Sequence, residues 1–147
     1  MRALALLSLC EACLAVRVFT AGDANVTCFR IPAIVATPTG ALLAFAEARH
    51  GSCADDATRE IALRRSADGG RTWSEIAFVA GNASLPVGNP YPRSDATQVA
   101  LVVVLHGDGG AGVGTGNGLA RSADAGAPCT ELSAADVGAA AGALPGP

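Results

Sequence analysis

The densest set of groups able to do chemistry lies between Cys28 and Glu75, where Arg30, Glu47, Arg49 and the adjacent carboxylates Asp55 and Asp56 follow one another closely. A guanidinium presents a planar fork of donors that matches a carboxylate. An aspartate nearby can hand a proton to a leaving oxygen and later take one from water. This order of parts describes a cationic pocket beside an acid, suited to a small anionic ligand. By itself, an arginine next to Pro32 also reads as a surface residue, and two adjacent aspartates as a solvated loop. No metal or cofactor is expected. Cys10-x-x-Cys13 has no second pair or His cluster to complete a zinc site. The glycine-rich run from Gly107 to Gly118 lacks the Lys-Ser/Thr ending of a phosphate loop.

The elements that must hold these groups read as short strands separated by turns. Arg17 to Ala21 is β-like and is followed by the turn formers Gly22 to Asn25. The next strand starts at Val26 or Cys28 and runs through Ala36; Pro32 cannot donate to a ladder, so this strand is expected to bend there or lie at an edge. Thr37-Pro38-Thr39-Gly40 is a turn by composition. Ala41 to Ala46 is a continuous apolar run of strand length, consistent with burial on both faces. A helix is the rival reading there, but the polar loop Gly51 to Asp56 interrupts too soon, and Ile61 to Arg65 resumes as strand. Ile76 to Ala80 and Val99 to Leu105 are further strands, Gly81 to Pro92 and Gly107 to Gly118 read as loops, and Ser133 to Ala143 reads as a weak helical turn.

Ser66 to Trp73, SADGGRTW, is the most informative turn: Ser and Asp can bind its backbone amides, two glycines allow unusual dihedrals, and Trp73 can pack its ring beneath the hairpin. The acidic spacing of a calcium loop is absent. Leu63 to Glu75 aligns without gaps to Leu119 to Glu131, 56 positions later, with Leu, Arg, Ser, Ala, Asp, Gly and Glu in register. A repeat of that size ending a group of short strands predicts a β-propeller or another radial array of sheets. The second copy has Pro128-Cys129 where the first has Thr72-Trp73.

The 147 residues suffice for one domain, and a net charge of -3 gives no bias toward nucleic acid. Half the chain is hydrophobic, yet aromatics are 4% and Gly numbers 18, which predicts an all-β protein with a thin core. Residues 1–15 have the layout of a secretory signal, interrupted by Glu11. No stretch approaches the roughly 20 apolar residues that span a bilayer. If the leader is removed, Cys28, Cys53 and Cys129 remain, an odd number that argues against a disulfide framework. Asn25-Val26-Thr27 and Asn82-Ala83-Ser84 are glycan acceptors if the chain enters the secretory route.

Taken together, FRIP (Phe29 to Pro32), LLAFAEAR (Leu42 to Arg49), the Asp55 loop, IALRRS (Ile61 to Ser66) and SADGGRTW resemble the opening of a sialidase (neuraminidase), nearest to the lysosomal-type animal enzymes and their bacterial relatives. The likeness runs from about Val18 to Leu105, with a fainter continuation into the second repeat. It implies about the first two blades of a six-bladed β-propeller over residues 16–147, with an Asp-box at 66–73 and a degenerate one at 122–129. It implies exo-alpha-sialidase activity on sialylated glycoproteins, glycolipids such as gangliosides, and oligosaccharides, in the lysosome or outside the cell, with no cofactor. Arg30 matches the first of three carboxylate-binding arginines, and Asp55 matches the general acid/base, with Asp56 as the alternative. Arg49 and Glu47 would line the pocket or orient a neighbour. Asp95, following Asn89-Pro90-Tyr91-Pro92, would be a contact near the acetamido group. Arg93 and Ser94 depart from the family's apolar residues there. The family's tyrosine nucleophile, its activating glutamate and two further arginines find no match, since Tyr91 is the sole tyrosine. A truncated chain without activity, prone to aggregate through open sheet edges, is therefore expected. The alternatives are a non-catalytic Asp-box propeller acting as a carbohydrate-binding or adhesion module, and a small secreted β-protein complete as written.

Overall fold

The computed structural model describes residues 15–82, 86–96, 98–105 and 116–122. The candidate leader with Cys10 and Cys13, the body of the Gly107 to Gly118 run, the second turn beyond Ser122, Cys129 and the Ala-rich segment lie outside these residues, as does most of the Asn82 acceptor triplet.

The described chain is all-β. It forms a four-stranded antiparallel sheet in the order β1 (Cys28–Ala36), β2 (Leu42–His50), β3 (Thr58–Ser66), β4 (Ala77–Ala80), and a three-stranded one in the order β5 (Val87–Ser94), β6 (Val99–Leu105), β7 (Gly116–Ser122). The expected strand at Arg17 to Ala21 does not form: residues 15–20 join no ladder, and Phe19 stacks on Phe29 with ring centroids 5.0 Å apart. An apolar side chain can be covered by packing alone, without strand pairing. The reading of Gly81 to Pro92 as loop is also corrected, because β5 begins at Val87. Its two prolines are tolerated since β5 is the edge strand of its sheet and its register shifts between Gly88 and Tyr91. Likewise Gly116 to Gly118 pair within β7 instead of continuing the loop.

β1 and β5 are built alike. Each opens its sheet at an edge, and each carries a bulge at an X-Pro step, Ile31-Pro32 and Asn89-Pro90, with Ile31 and Asn89 both at φ 50. Proline supplies no ladder donor, so the bulge falls where pairing would in any case be broken. The three-strand pattern therefore recurs, and Ser66 and Ser122 close corresponding strands.

Alternation along β2 divides the core. Leu43 and Phe45, with Ile61, Val79 and Ala80, face Val87, Val99, Leu101 and Val103 of the second sheet. Ala48 and Ala62 on the other face meet Val26, Phe19, Phe29 and Ile76. β2 is thus covered on both sides, as its unbroken apolar run predicts. After β3 the chain turns through Ser66 to Trp73. The Asp68 carboxylate accepts from Ser66 Oγ (2.8 Å), the Arg71 amide (3.0 Å), and the Thr72 amide and hydroxyl (2.9 and 2.6 Å). These donors hold its pKa far below the usual carboxylate range, Thr72 contributing most. Trp73 is half-buried and donates from Nε1 to Gly70 O at 3.1 Å.

Candidate functional site

Register places Arg30, Glu47, Arg49 and Arg59 at one end of the first sheet. Arg30 on β1 lies opposite Glu47 on β2, and Arg49 lies between Cys28 on β1 and Arg59 on β3. Residues two apart on a strand share a face, so Glu47 and Arg49 project together, toward the second sheet. The bulge after Arg30 comes from Ile31 at φ 50, an unusual conformation for a β-branched residue, and it interrupts regular pairing between Arg30 and Ala33.

Glu47 and Arg49 form a closed buried pair. Arg49 Nε and NH2 donate to Glu47 Oε2 at 2.9 and 2.6 Å, and the Asn89 amide donates to Glu47 Oε1 at 2.8 Å. Both carboxylate oxygens are engaged, one by its own strand and one by the β5 bulge. Arg49 is 2% exposed, and its NH1 reaches Cys53 O (2.8 Å), Ala54 O (2.7 Å) and Asp55 Oδ1 (2.8 Å). Burial opposes its charge, but the hydrogen bonds it donates to Glu47 and Asp55 outweigh that and raise its pKa. Arg49 therefore grips the loop; its Nε and NH1 are committed to protein acceptors.

Asp55 stands at the outer edge of this pair, its side chain 83% exposed. Its Oδ1 accepts from Arg49 NH1 and from Arg30 NH1, the latter at 2.9 Å; Arg30 NH1 also lies 3.3 Å from Cys53 O. The Arg49 hydrogen bond, then the fields of Arg30 and Arg49, hold the Asp55 pKa below its ordinary value. Arg30, Glu47, Arg49 and Asp55 are thus one connected cluster, as their spacing suggested. Asp56 is exposed and joins none of these contacts. Asp95 is not brought here: it follows β5, roughly 20 Å of extended chain from Asn89, and its carboxylate caps the β5–β6 turn through the Gln98 amide and side chain (3.0 and 3.2 Å).

Three participants were not foreseen. Cys28 and Cys53 are joined as a disulfide, Cα atoms 5.8 Å apart, which corrects the inference from an odd cysteine count: an odd total excludes complete pairing, not one pair. The Asn89 amide reaches Glu47 because the β5 bulge frees it from the ladder. Arg59 is buried beside Arg49, and its Nε has no hydrogen-bond partner among the described residues. Also among the described residues, no group of His, Cys, Asp and Glu could hold a metal ion, and no helix is long and apolar enough to cross a membrane.

No family model matches the chain. It is 42% identical over 60 residues to an anhydrosialidase of Macrobdella decora, covering 40% of this chain and 8% of that protein. A sialidase of Micromonospora viridifaciens is 43% identical over 60 residues, 40% of this chain and 9% of that one. An exo-alpha-sialidase of Arthroderma benhamiae is 32% identical over 97 residues, 62% of this chain and 24% of the relative. The Hadza microbial sialidase Hz136 superposes with a TM-score of 0.69 at 25% identity, over 77% of this chain and 27% of that structure. Trypanosoma rangeli sialidase, in complex with the inhibitor DANA, gives 0.56 at 21% identity over 71% of this chain and 19% of that one, a likeness of fold. The chain spans a quarter or less of the curated relatives named here.

Proposed function

We propose, on the premise that the chain is homologous in sequence and structure to the sialidases over part of its length, that it supplies one wall of an exo-alpha-sialidase pocket. Its two sheets are then the first two blades of a six-bladed propeller, with Ser66 to Trp73 as an Asp-box. Arg30 takes the carboxylate of a terminal sialic acid on a glycoprotein, glycolipid or oligosaccharide, and Asp55 protonates the glycosidic oxygen as it leaves. Arg49 and Glu47 hold Asp55 in place, Asp56 is its neighbour outside the ion pairs, and Asp95 serves the β5–β6 turn. The single observation that carries this reading is the 2.9 Å contact between Arg30 and Asp55, residues 25 positions apart. A route through the secretory pathway, to the lysosome or the outside, fits a disulfide between Cys28 and Cys53.

An aspartate held ionised by two guanidiniums is a poor acid, and substrate resolves the difficulty. The sugar carboxylate competes for Arg30, so its arrival removes one of the two cations that depress Asp55 and lets the carboxyl group take up a proton. The nucleophile is another matter. Tyr91 lies on β5 with 65% of its surface exposed and takes no part in the cluster, so the 147 residues alone are expected to release no fluorescent aglycone from a sialoside. Release abolished by Asp55→Ala would overturn that expectation.

Binding tests the pocket directly. N-acetylneuraminic acid added to the full chain should shift the Arg30 side-chain and Asp55 carboxyl NMR signals, and its neutral methyl ester should not. Binding that persists in Arg30→Met, or equal binding of acid and ester, would remove Arg30 from the site. A non-catalytic carbohydrate-binding or adhesion module is the second reading, favoured by the depressed pKa of Asp55.

A further inference from the structure

The loop that carries Asp55 is anchored at one residue by three independent links. The sulfur of Cys53 is bonded to Cys28, on the edge strand two residues before Arg30. The Cys53 carbonyl accepts from Arg49 NH1 at 2.8 Å and lies 3.3 Å from Arg30 NH1. Two residues on, the same two nitrogens meet Asp55 Oδ1. Loop backbone and carboxylate therefore share their donors, and the covalent link fixes where that shared acceptor pair sits relative to β1.

Without the link, Arg49 NH1 still holds the loop to β2 through Cys53 O, Ala54 O and Asp55 Oδ1 at 2.8, 2.7 and 2.8 Å, but little else holds it to β1. Ala54 donates to Ser52 Oγ at 3.2 Å and Ala57 to Ala54 O at 3.2 Å, both within the loop, and Gly51 donates to Thr27 Oγ1 at 2.9 Å at its start. Residues 51–56 are all exposed, so little apolar burial holds them. The Arg30–Asp55 pair, exposed on both sides, is worth about 0–1 kcal/mol, too little by itself to hold the loop against β1. The Cα separation of 5.8 Å lies within the range natural disulfides occupy.

We propose that Cys28 and Cys53 are positioning residues: their disulfide seats the Asp55 carboxylate on Arg30, and its reduction parts the two while Arg49 keeps its hold on the loop and the sheets stay folded. The step is thiol–disulfide exchange with a dithiol. One thiolate attacks Cys53 Sγ and the Cys28 thiolate leaves. The second thiol of the reductant then displaces Cys53, so two electrons pass to the protein, both cysteines are protonated, and the dithiol is oxidised to its cyclic disulfide. The consequence for catalysis rests on Asp55 being the acid. The seating itself does not, and the experiment reads seating alone.

The full chain is mapped by mass spectrometry for the Cys28–Cys53 link, then titrated by NMR at the Asp55 carboxyl carbon before and after dithiothreitol, with β2 and β3 amide shifts followed in parallel. Expected is an upward move of the Asp55 midpoint toward the ordinary carboxylate range on reduction, with the strand amides unmoved. The double variant Cys28→Ser with Cys53→Ser should show the raised midpoint without reductant, and no further change with it. Free thiols at both positions in the oxidised chain, an Asp55 midpoint indifferent to reduction, or collapse of the strand amides on reduction would each overturn the proposal. Should the double variant not fold, the reduction of the native chain and its reversal by reoxidation decide alone.

Discussion

Glu47 is the residue on which the cluster turns. Among the described residues it is the one buried carboxylate facing Arg49, and its two oxygens join β2 to the bulge of β5. Removing one partner of a buried pair leaves an uncompensated charge, at a cost of about 3–5 kcal/mol. Glu47→Ala should therefore lower stability by that order in a denaturant titration, whereas Asp56→Ala, at an exposed position outside the cluster, should stay near zero. The Arg30–Asp55 contact should in turn depend on pH. The folded pKa of Asp55 is depressed, so its stabilising contribution is complete above the ordinary carboxylate range and is lost as pH falls through the lower, folded value. The Arg30 side-chain NMR signal should follow that loss on acidification, and in Asp55→Asn it should no longer respond.

At the scale of elements, a few turns and bulges decide where the functional groups end up. Ser66 to Trp73 closes β3 onto β4 with one carboxylate serving the Arg71 and Thr72 amides. Asp68→Ala removes both acceptors, and amide exchange at Arg71 and Thr72 should quicken by about an order of magnitude or more as the turn opens locally. Exchange in β2 should change far less. The two X-Pro bulges act at the other end, where one breaks the ladder just after Arg30 and the other offers the Asn89 amide to Glu47. Pro32 made the first bend legible in the sequence. The second was hidden, because Pro90 and Pro92 read equally well as loop, and only an edge strand able to shift register accommodates both.

Over the whole molecule, a single apolar layer joins the two sheets, and Phe45 is its one large aromatic, fully buried between β2 and the second sheet. Phe45→Ala should cost about 3–5 kcal/mol, a large share of the roughly 5–15 kcal/mol that holds an ordinary domain folded, and the thermal midpoint should fall accordingly. The sequence by itself determined the strands of the first sheet, the Ser66 to Trp73 turn and the recurrence of the three-strand pattern, since each rests on local periodicity, turn chemistry or spacing, while Arg30, Glu47, Arg49 and Asp55 were singled out through the family resemblance. Tertiary structure alone decided that Cys28 meets Cys53, that Asn89 caps Glu47, that Asp95 stands apart from the cluster, and that Arg49 grips the acid loop. Those facts depend on register between strands and on contact between sheets, which bring together residues that no local pattern relates.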